Sequence, residues 1–133
     1  EFRRVLFRSS DLCGEKLSED FVLRALQPFK LRFALLLPEV RGYALVLDAG
    51  EVDALRACTL AQAVDDALNA NPQYAYARKL GQLQPLRVHR CQEPRARWQA
   101  HALAHGRRLG DIKTPVLNAD AALPRLFQDG AAH

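Results

Sequence analysis

The sequence predicts an α+β domain, a small and mostly antiparallel sheet flanked by helices. Three observations carry that expectation. Residues 32–37 (Arg-Phe-Ala-Leu-Leu-Leu) and 43–47 (Tyr-Ala-Leu-Val-Leu) are short runs, apolar on both faces, joined by a connection of hairpin length that contains Pro38 and Gly42. Several other segments repeat apolar residues at the spacing of three and four that marks an amphipathic helix. The order of these segments is helix, strand, strand, helix, helix, strand, helix, loop, which suits helices layered on a small sheet.

The bulk composition agrees. A chain of 133 residues that is 49% hydrophobic is the size of one ordinary domain and can bury a core, so global disorder is excluded. No apolar run approaches the roughly 20 residues needed to span a bilayer. The opening residues lack the apolar stretch of a signal peptide. Cys13, Cys58 and Cys91 are odd in number and far apart, the pattern of free thiols in a reducing compartment; a cytoplasmic location is expected. The net charge is +4, but Arg3, Arg4 and Arg8 lie in residues 1–9. There, Arg-Arg-Val-Leu-Phe-Arg-Ser resembles a translated sequencing-adapter read-through, so residues 1–9 are set aside from the fold. On that reading the natural protein continues upstream and the basic balance loses force as a sign of nucleic acid.

Residues 10–17 read as a linker around Gly14, and residues 18–133 as one domain whose tail, from about 118, is partly irregular. Ser18 is a good N-cap, and Glu19 and Asp20 suit the positive end of a helix dipole. Phe21, Val22, Ala25 and Leu26 follow at helical spacing until Pro28. The two apolar runs come next and belong in the centre of a sheet covered by helices. Residues 51–69 form the clearest helix: Leu55, Thr59, Leu60, Ala63, Val64, Ala67 and Leu68 make one stripe, opposite Asp53, Arg56, Gln62, Asp65 and Asp66. Asn71-Pro72 restarts the chain as cap and first helical residue, and a second helix runs to Gly81. Residues 86–91 alternate imperfectly, as a half-buried strand does. Pro94 begins the last helix, with Ala96, Ala100 and Leu103 on one face and Gly106 just past its end. In the tail, Leu123, Leu126 and Phe127 are placed to dock.

The residues that carry chemistry are few. There is no glycine-rich phosphate loop and no His-Glu-x-x-His. His101 and His105 have metal-ligand spacing, but without an obvious third ligand they read as a solvated helix face. His89 and Cys91 share a strand face, where core or surface packing is favoured over thiol chemistry. Arg87, His89, Arg90, Arg95 and Arg97 form a basic cluster, but only Trp98 supplies an aromatic near it, and Trp98 reads as core. A stand-alone α+β interaction or nucleic-acid-binding module is therefore the alternative reading. Two features stand above these. Residues 109–115, Leu-Gly-Asp-Ile-Lys-Thr-Pro, present Lys113 alone on a loop, a compact charge suited to meeting a phosphate or carboxylate on another surface. Residues 71–83 set Tyr74, Tyr76, Arg78 and Lys79 on one short helix.

Taken together these segments resemble the C-terminal domain of the acyl-acid amido synthetases, the auxin-responsive and jasmonate-conjugating family within the adenylate-forming superfamily. Residues 11–19, with Asp11, Gly14 and Lys16, resemble the inter-domain segment in which an acidic residue and a lysine precede the first helix. Tyr74 and Arg78 match a Tyr-x-x-x-Arg, and Gln84-Pro85-Leu86-Arg87-Val88 is similar to a Gly-Pro-Leu-x-basic-Val strand entry. Gly106 and Lys113-Thr114-Pro115 match a glycine and a Lys-x-Pro loop at the same separation of seven residues. The resemblance covers about residues 11–117. Gly110-Asp111-Ile112 and Val116-Leu117 depart from the plant pattern and point to a bacterial branch.

The resemblance implies a lid domain, and a parent enzyme that makes an acyl-adenylate from a carboxylic acid and ATP and passes the acyl group to an amine or amino acid. It implies that ATP and Mg2+ are bound mainly by an N-terminal adenylation domain absent from this chain, so that the isolated fragment binds neither and is inactive. Lys113 would be the catalytic lysine. Lys16, Gly14 and Asp11 would serve the hinge and the nucleotide. Tyr74 and Arg78 would be packing or domain-contact residues. Neither a membrane nor a nucleic acid is expected as partner.

Overall fold

The computed structural model describes residues 9–10, 17–106, 116–117 and 123–128. Its first element is a short antiparallel ribbon of β1 (Ser9–Ser10) and β2 (Leu17–Ser18), in which Ser9 faces Ser18 and Ser10 faces Leu17. The ribbon gathers the two ends of the expected linker, and Ser9 pairs although it closes the stretch set aside from the fold.

Helix α1 (Glu19–Leu26) begins as expected: the Ser18 hydroxyl accepts from the Phe21 N–H at 3.2 Å, and Glu19 and Asp20 occupy the first turn. It buries Val22 and Leu26 and passes into a 3-10 turn, Gln27–Phe29, that holds Pro28. Lys30, in the left-handed region at φ 51°, ends that turn.

Strands β3 (Ala34–Pro38) and β4 (Tyr43–Asp48) form the expected hairpin, in register from Ala34↔Leu47 to Pro38↔Tyr43. Both are buried on both faces along most of their length. Strand β5 (Arg87–Cys91) joins β4 in parallel, from Ala44↔Arg87 to Asp48↔Cys91. The α+β class stands, but the sheet, expected to be mostly antiparallel, is mixed, in the order β3-β4-β5. The reason lies in the connection. Helices α2 (Ala54–Leu68) and α3 (Pro72–Lys79) intervene and carry the chain back to the starting end of the sheet, which a hairpin turn cannot do. On the free side of β3, Leu117 forms a parallel bridge to Leu36.

Side chains alternate across the sheet into two cores. On one face Leu36, Tyr43, Leu45 and Leu47 pack with α1, α2 and α3 through Val22, Leu26, Leu60, Val64, Leu68 and Tyr74. On the other, Phe33, Leu35, Leu37 and Val46 pack with Trp98 and Ala102 of α4 (Pro94–Ala104) and with Phe127 beyond the short helix α5 (Leu123–Leu126). Trp98 is a core residue, as expected. Phe127 docks against Phe33 with ring centroids 5.9 Å apart.

Two helix faces differ from expectation. Helix α2 buries Ala57, Leu60, Ala61, Val64, Asp65 and Leu68, whereas Leu55 is 82% exposed and Thr59 is exposed. Helix α4 buries Pro94, Trp98 and Ala102, and leaves Ala96, Ala100 and Leu103 exposed. In α2 the small side chains of Ala57 and Ala61 take core positions that a count of hydrophobicity gives to Leu55, whereas in α4 the large ring of Trp98 sets the buried face and turns Ala96 and Ala100 outward. Gly106, at φ 85°, ends α4 as the expected left-handed residue. Among the described residues no helix is long and apolar enough to cross a membrane.

Candidate functional site

Of the candidate residues, Asp11, Gly14, Lys16 and Lys113 lie outside the described residues. Tyr74 and Arg78 are described, and they meet on one carboxylate. They stand four apart on α3 and so project from one side of it. Asn71 sets that helix in place: its side-chain oxygen accepts from the N–H groups of Gln73 at 2.9 Å and Tyr74 at 3.1 Å. Facing them is Asp65, near the end of α2.

The Tyr74 hydroxyl donates to Asp65 Oδ1 at 2.6 Å. Arg78 donates from Nε to Oδ1 at 3.2 Å and from Nη2 to Oδ2 at 2.6 Å, a two-pronged ion pair. Asp65 is 5% exposed, so the pair sits largely out of water. Burial, then the hydrogen bond and charge of Asp65, hold the Tyr74 phenol well above its ordinary value. The hydrogen bond to Asp65 also raises Arg78. The phenol is therefore a fixed neutral donor at physiological pH and the guanidinium a fixed cation. Neither is poised to exchange a proton, so the cluster works as a clamp between α2 and α3 and not as an acid–base pair. Sequence reading placed Asp65 on the solvated face; its position in the 57-60-61-64-65-68 repeat is the signal that marks it as inward.

The two described ends of the Lys113 segment are both fixed. Gly106 closes α4, its N–H donating to Leu103 O at 3.1 Å. At the far end, the Val116 carbonyl accepts from Leu36 N at 2.8 Å, and the Val116 N–H donates to Glu19 Oε2 at 3.1 Å. Leu117 is fully buried. The chain thus returns to the edge of β3 beside the first turn of α1, three residues after Lys113.

The basic cluster is largely occupied in holding the fold. Arg87 and His89 flank Glu39 at 3.3 and 3.5 Å. Arg90 donates to the carbonyls of Val52 at 2.8 Å and Ala49 at 3.3 Å. Arg95 donates to Arg32 O, and Arg97 to Gln92 O at 2.8 Å and Gln128 O at 2.9 Å. A shallow cavity of about 400 Å³ lies between the Glu39–Tyr43 turn and Gln84, Pro85 and Arg87. A second, of about 250 Å³, is floored by Ala44 and Val46 beside His89 and Phe127.

The His101 and His105 rings lie 4.2 Å apart, with His105 Nδ1 2.8 Å from His101 O. Among the described residues no group of three or more His, Cys, Asp or Glu could hold a metal ion. Cys91 is buried, its thiol donating to Gln92 O at 3.4 Å, and Cys58 is exposed.

Comparison with known proteins places this arrangement. No curated protein matches the chain. A family model described as the GH3 family C-terminal domain matches residues 20–122, close to the span over which the sequence resembles the amido synthetases. The match covers most of the chain, from the first helix through both sheet faces and past the Lys113 segment, and the chain belongs to the GH3 family, of which it carries the C-terminal domain.

Proposed function

We propose that this chain is the small, mobile domain of a bacterial acyl-acid amido synthetase. In the first step of that reaction a carboxylate oxygen attacks the α-phosphorus of ATP, the bond to pyrophosphate breaks, and an acyl-adenylate forms. In the second step the nitrogen of an amine or amino acid attacks the acyl carbon and AMP leaves. The observation that carries the reading is the family match over residues 20–122, which spans Lys113, Tyr74 and Arg78.

Lys113 is the catalytic residue in this reading. Its ammonium sits against the negative charge that develops at the α-phosphate or on the attacking carboxylate. A single charge so placed in a water-poor cleft contributes about 3–4 kcal/mol to the transition state. The anchored ends of its segment, at Gly106 and Val116, support the role, because a segment tethered at both ends restricts where the ammonium can reach.

Asp11, Gly14 and Lys16 serve the hinge and the nucleotide. The β1–β2 ribbon supports this by bringing the ends of that segment together. Tyr74 and Arg78 act in the clamp that stiffens the domain. The chemistry of Mg2+, charge neutralisation on the phosphates, is assigned with ATP to an N-terminal adenylation domain, in a cytoplasmic enzyme.

The test is ATP–pyrophosphate exchange by the full-length protein. Lys113→Ala is expected to slow exchange by at least about a hundredfold with little change in thermal midpoint. An unchanged rate overturns the assignment.

A further inference from the structure

We infer that His101, in the last turn of α4, and His105, just past its end, bind a divalent transition-metal ion of the kind that prefers imidazole, copper above zinc, with water completing its coordination. The inference does not rest on the functional reading above.

Spacing is the starting point. The two residues stand four apart, so their side chains leave the helix on one side, one turn from each other. The structure adds to this. The rings already face each other, with centroids 4.2 Å apart and planes inclined by 39°. Two nitrogens on one ion, at bonds of about 2.0–2.1 Å, lie about 3 Å from each other. Small rotations of rings so placed bring about that separation.

The tautomer is also set. His105 Nδ1 lies 2.8 Å from the carbonyl oxygen of His101. A carbonyl only accepts, so Nδ1 carries the proton and Nε2 of the neutral ring keeps its lone pair. This is the arrangement found in metal-bound histidines, whose other nitrogen donates to a carbonyl or carboxylate that fixes the ring. Among the described residues no hydrogen bond engages His105 Nε2 or either ring nitrogen of His101. Trp98 backs the His101 ring: the indole is buried, and its centroid lies 5.7 Å from that of His101.

The surroundings suit a cation. Both ligands lie at the C-terminal end of a helix, which carries partial negative charge. Arg97, one turn back, commits its guanidinium to the carbonyls of Gln92 at 2.8 Å and Gln128 at 2.9 Å. Two protein ligands are fewer than a structural or catalytic zinc site uses, so the ion exchanges readily. Bound, it links successive turns and holds the end of α4 against fraying.

Trp98 is the only tryptophan of the chain, so its emission reports on the site. The experiment titrates Cu2+ into the 133-residue chain in a buffer that does not bind metals. Emission is expected to fall to a plateau at one ion per chain in the micromolar range, because Cu2+ quenches a nearby indole. The thermal midpoint should rise with it, since the ion binds the folded helix. His105→Ala changes an exposed residue and leaves the contact of Trp98 with His101 in place. It should weaken binding by at least about the tenfold that losing even an outer-shell partner of a metal ligand costs. His101→Ala should do the same, and circular dichroism should show both variants folded; if His101→Ala unfolds, His105→Ala carries the comparison. His89→Ala, which removes an imidazole from β5, should leave the titration unchanged. Electron paramagnetic resonance of the copper-loaded chain should show two bound imidazole nitrogens, and one in His105→Ala.

The inference is overturned if the quenching has no plateau, or if His105→Ala binds Cu2+ as tightly as the starting chain. It is equally overturned if His89→Ala abolishes binding, or if the resonance spectrum of the starting chain shows a single imidazole nitrogen.

Discussion

Asp65 shows how one side chain can bind two helices. Its two oxygens take three donors, from Tyr74 and Arg78, in a site that is nearly closed to water. Removing it strands a buried phenol and a guanidinium together, a loss of about 3–5 kcal/mol for a broken buried pair. Urea unfolding of Asp65→Ala should show that loss; a change under about 1 kcal/mol would mean the cluster is not a clamp. The phenol also predicts a pH dependence. Its folded value lies above the ordinary 10.0, so its contribution is complete below pH 10 and is lost as pH rises beyond it, because the unfolded chain gives up the proton first. Unfolding free energy measured between pH 9 and 11 should fall more steeply for the native chain than for Tyr74→Phe. Tyr74 and Arg78 were legible in the sequence because a spacing of four is a local signal. Asp65 was not recognised, because its partners belong to the next helix and only packing turns a charged residue inward.

Helix and strand positions follow from local chemistry more directly than helix faces do. Ser18, Asp53 and Asn71 each cap a helix as their residue types suggest. The hairpin of β3 and β4 follows from two apolar runs and a short connection. The face that α2 buries was misjudged by about one position, since Leu55 outweighs Ala57 and Ala61 on any hydrophobicity count while the sheet accepts the alanines. A thermal-melt comparison tests that orientation. Leu60→Ala should cost about 2–5 kcal/mol, and Leu55→Ala less than about 0.5 kcal/mol. Equal losses would put the stripe back where the sequence pattern placed it. Strand β5 was legible as half-buried but not as parallel, because a strand's own residues do not encode the direction of its neighbour.

Two cores on opposite faces of one sheet make a single packed domain. In the functional reading the nucleotide pocket belongs to another domain. The isolated chain is therefore expected to show no micromolar ATP binding by calorimetry; micromolar binding would place the nucleotide site in this domain. Periodicity, capping residues and turn residues, all interactions among near neighbours, were enough for the α+β class and its main helices and strands, while the family resemblance rested on the ordered motifs and the β1–β2 ribbon went unread. The parallel strand, the inward Asp65 and the bond from Glu19 to Val116 were decided only by the tertiary structure. Each joins residues far apart in the chain, and no local pattern of sequence records which distant group a donor or a strand edge will meet.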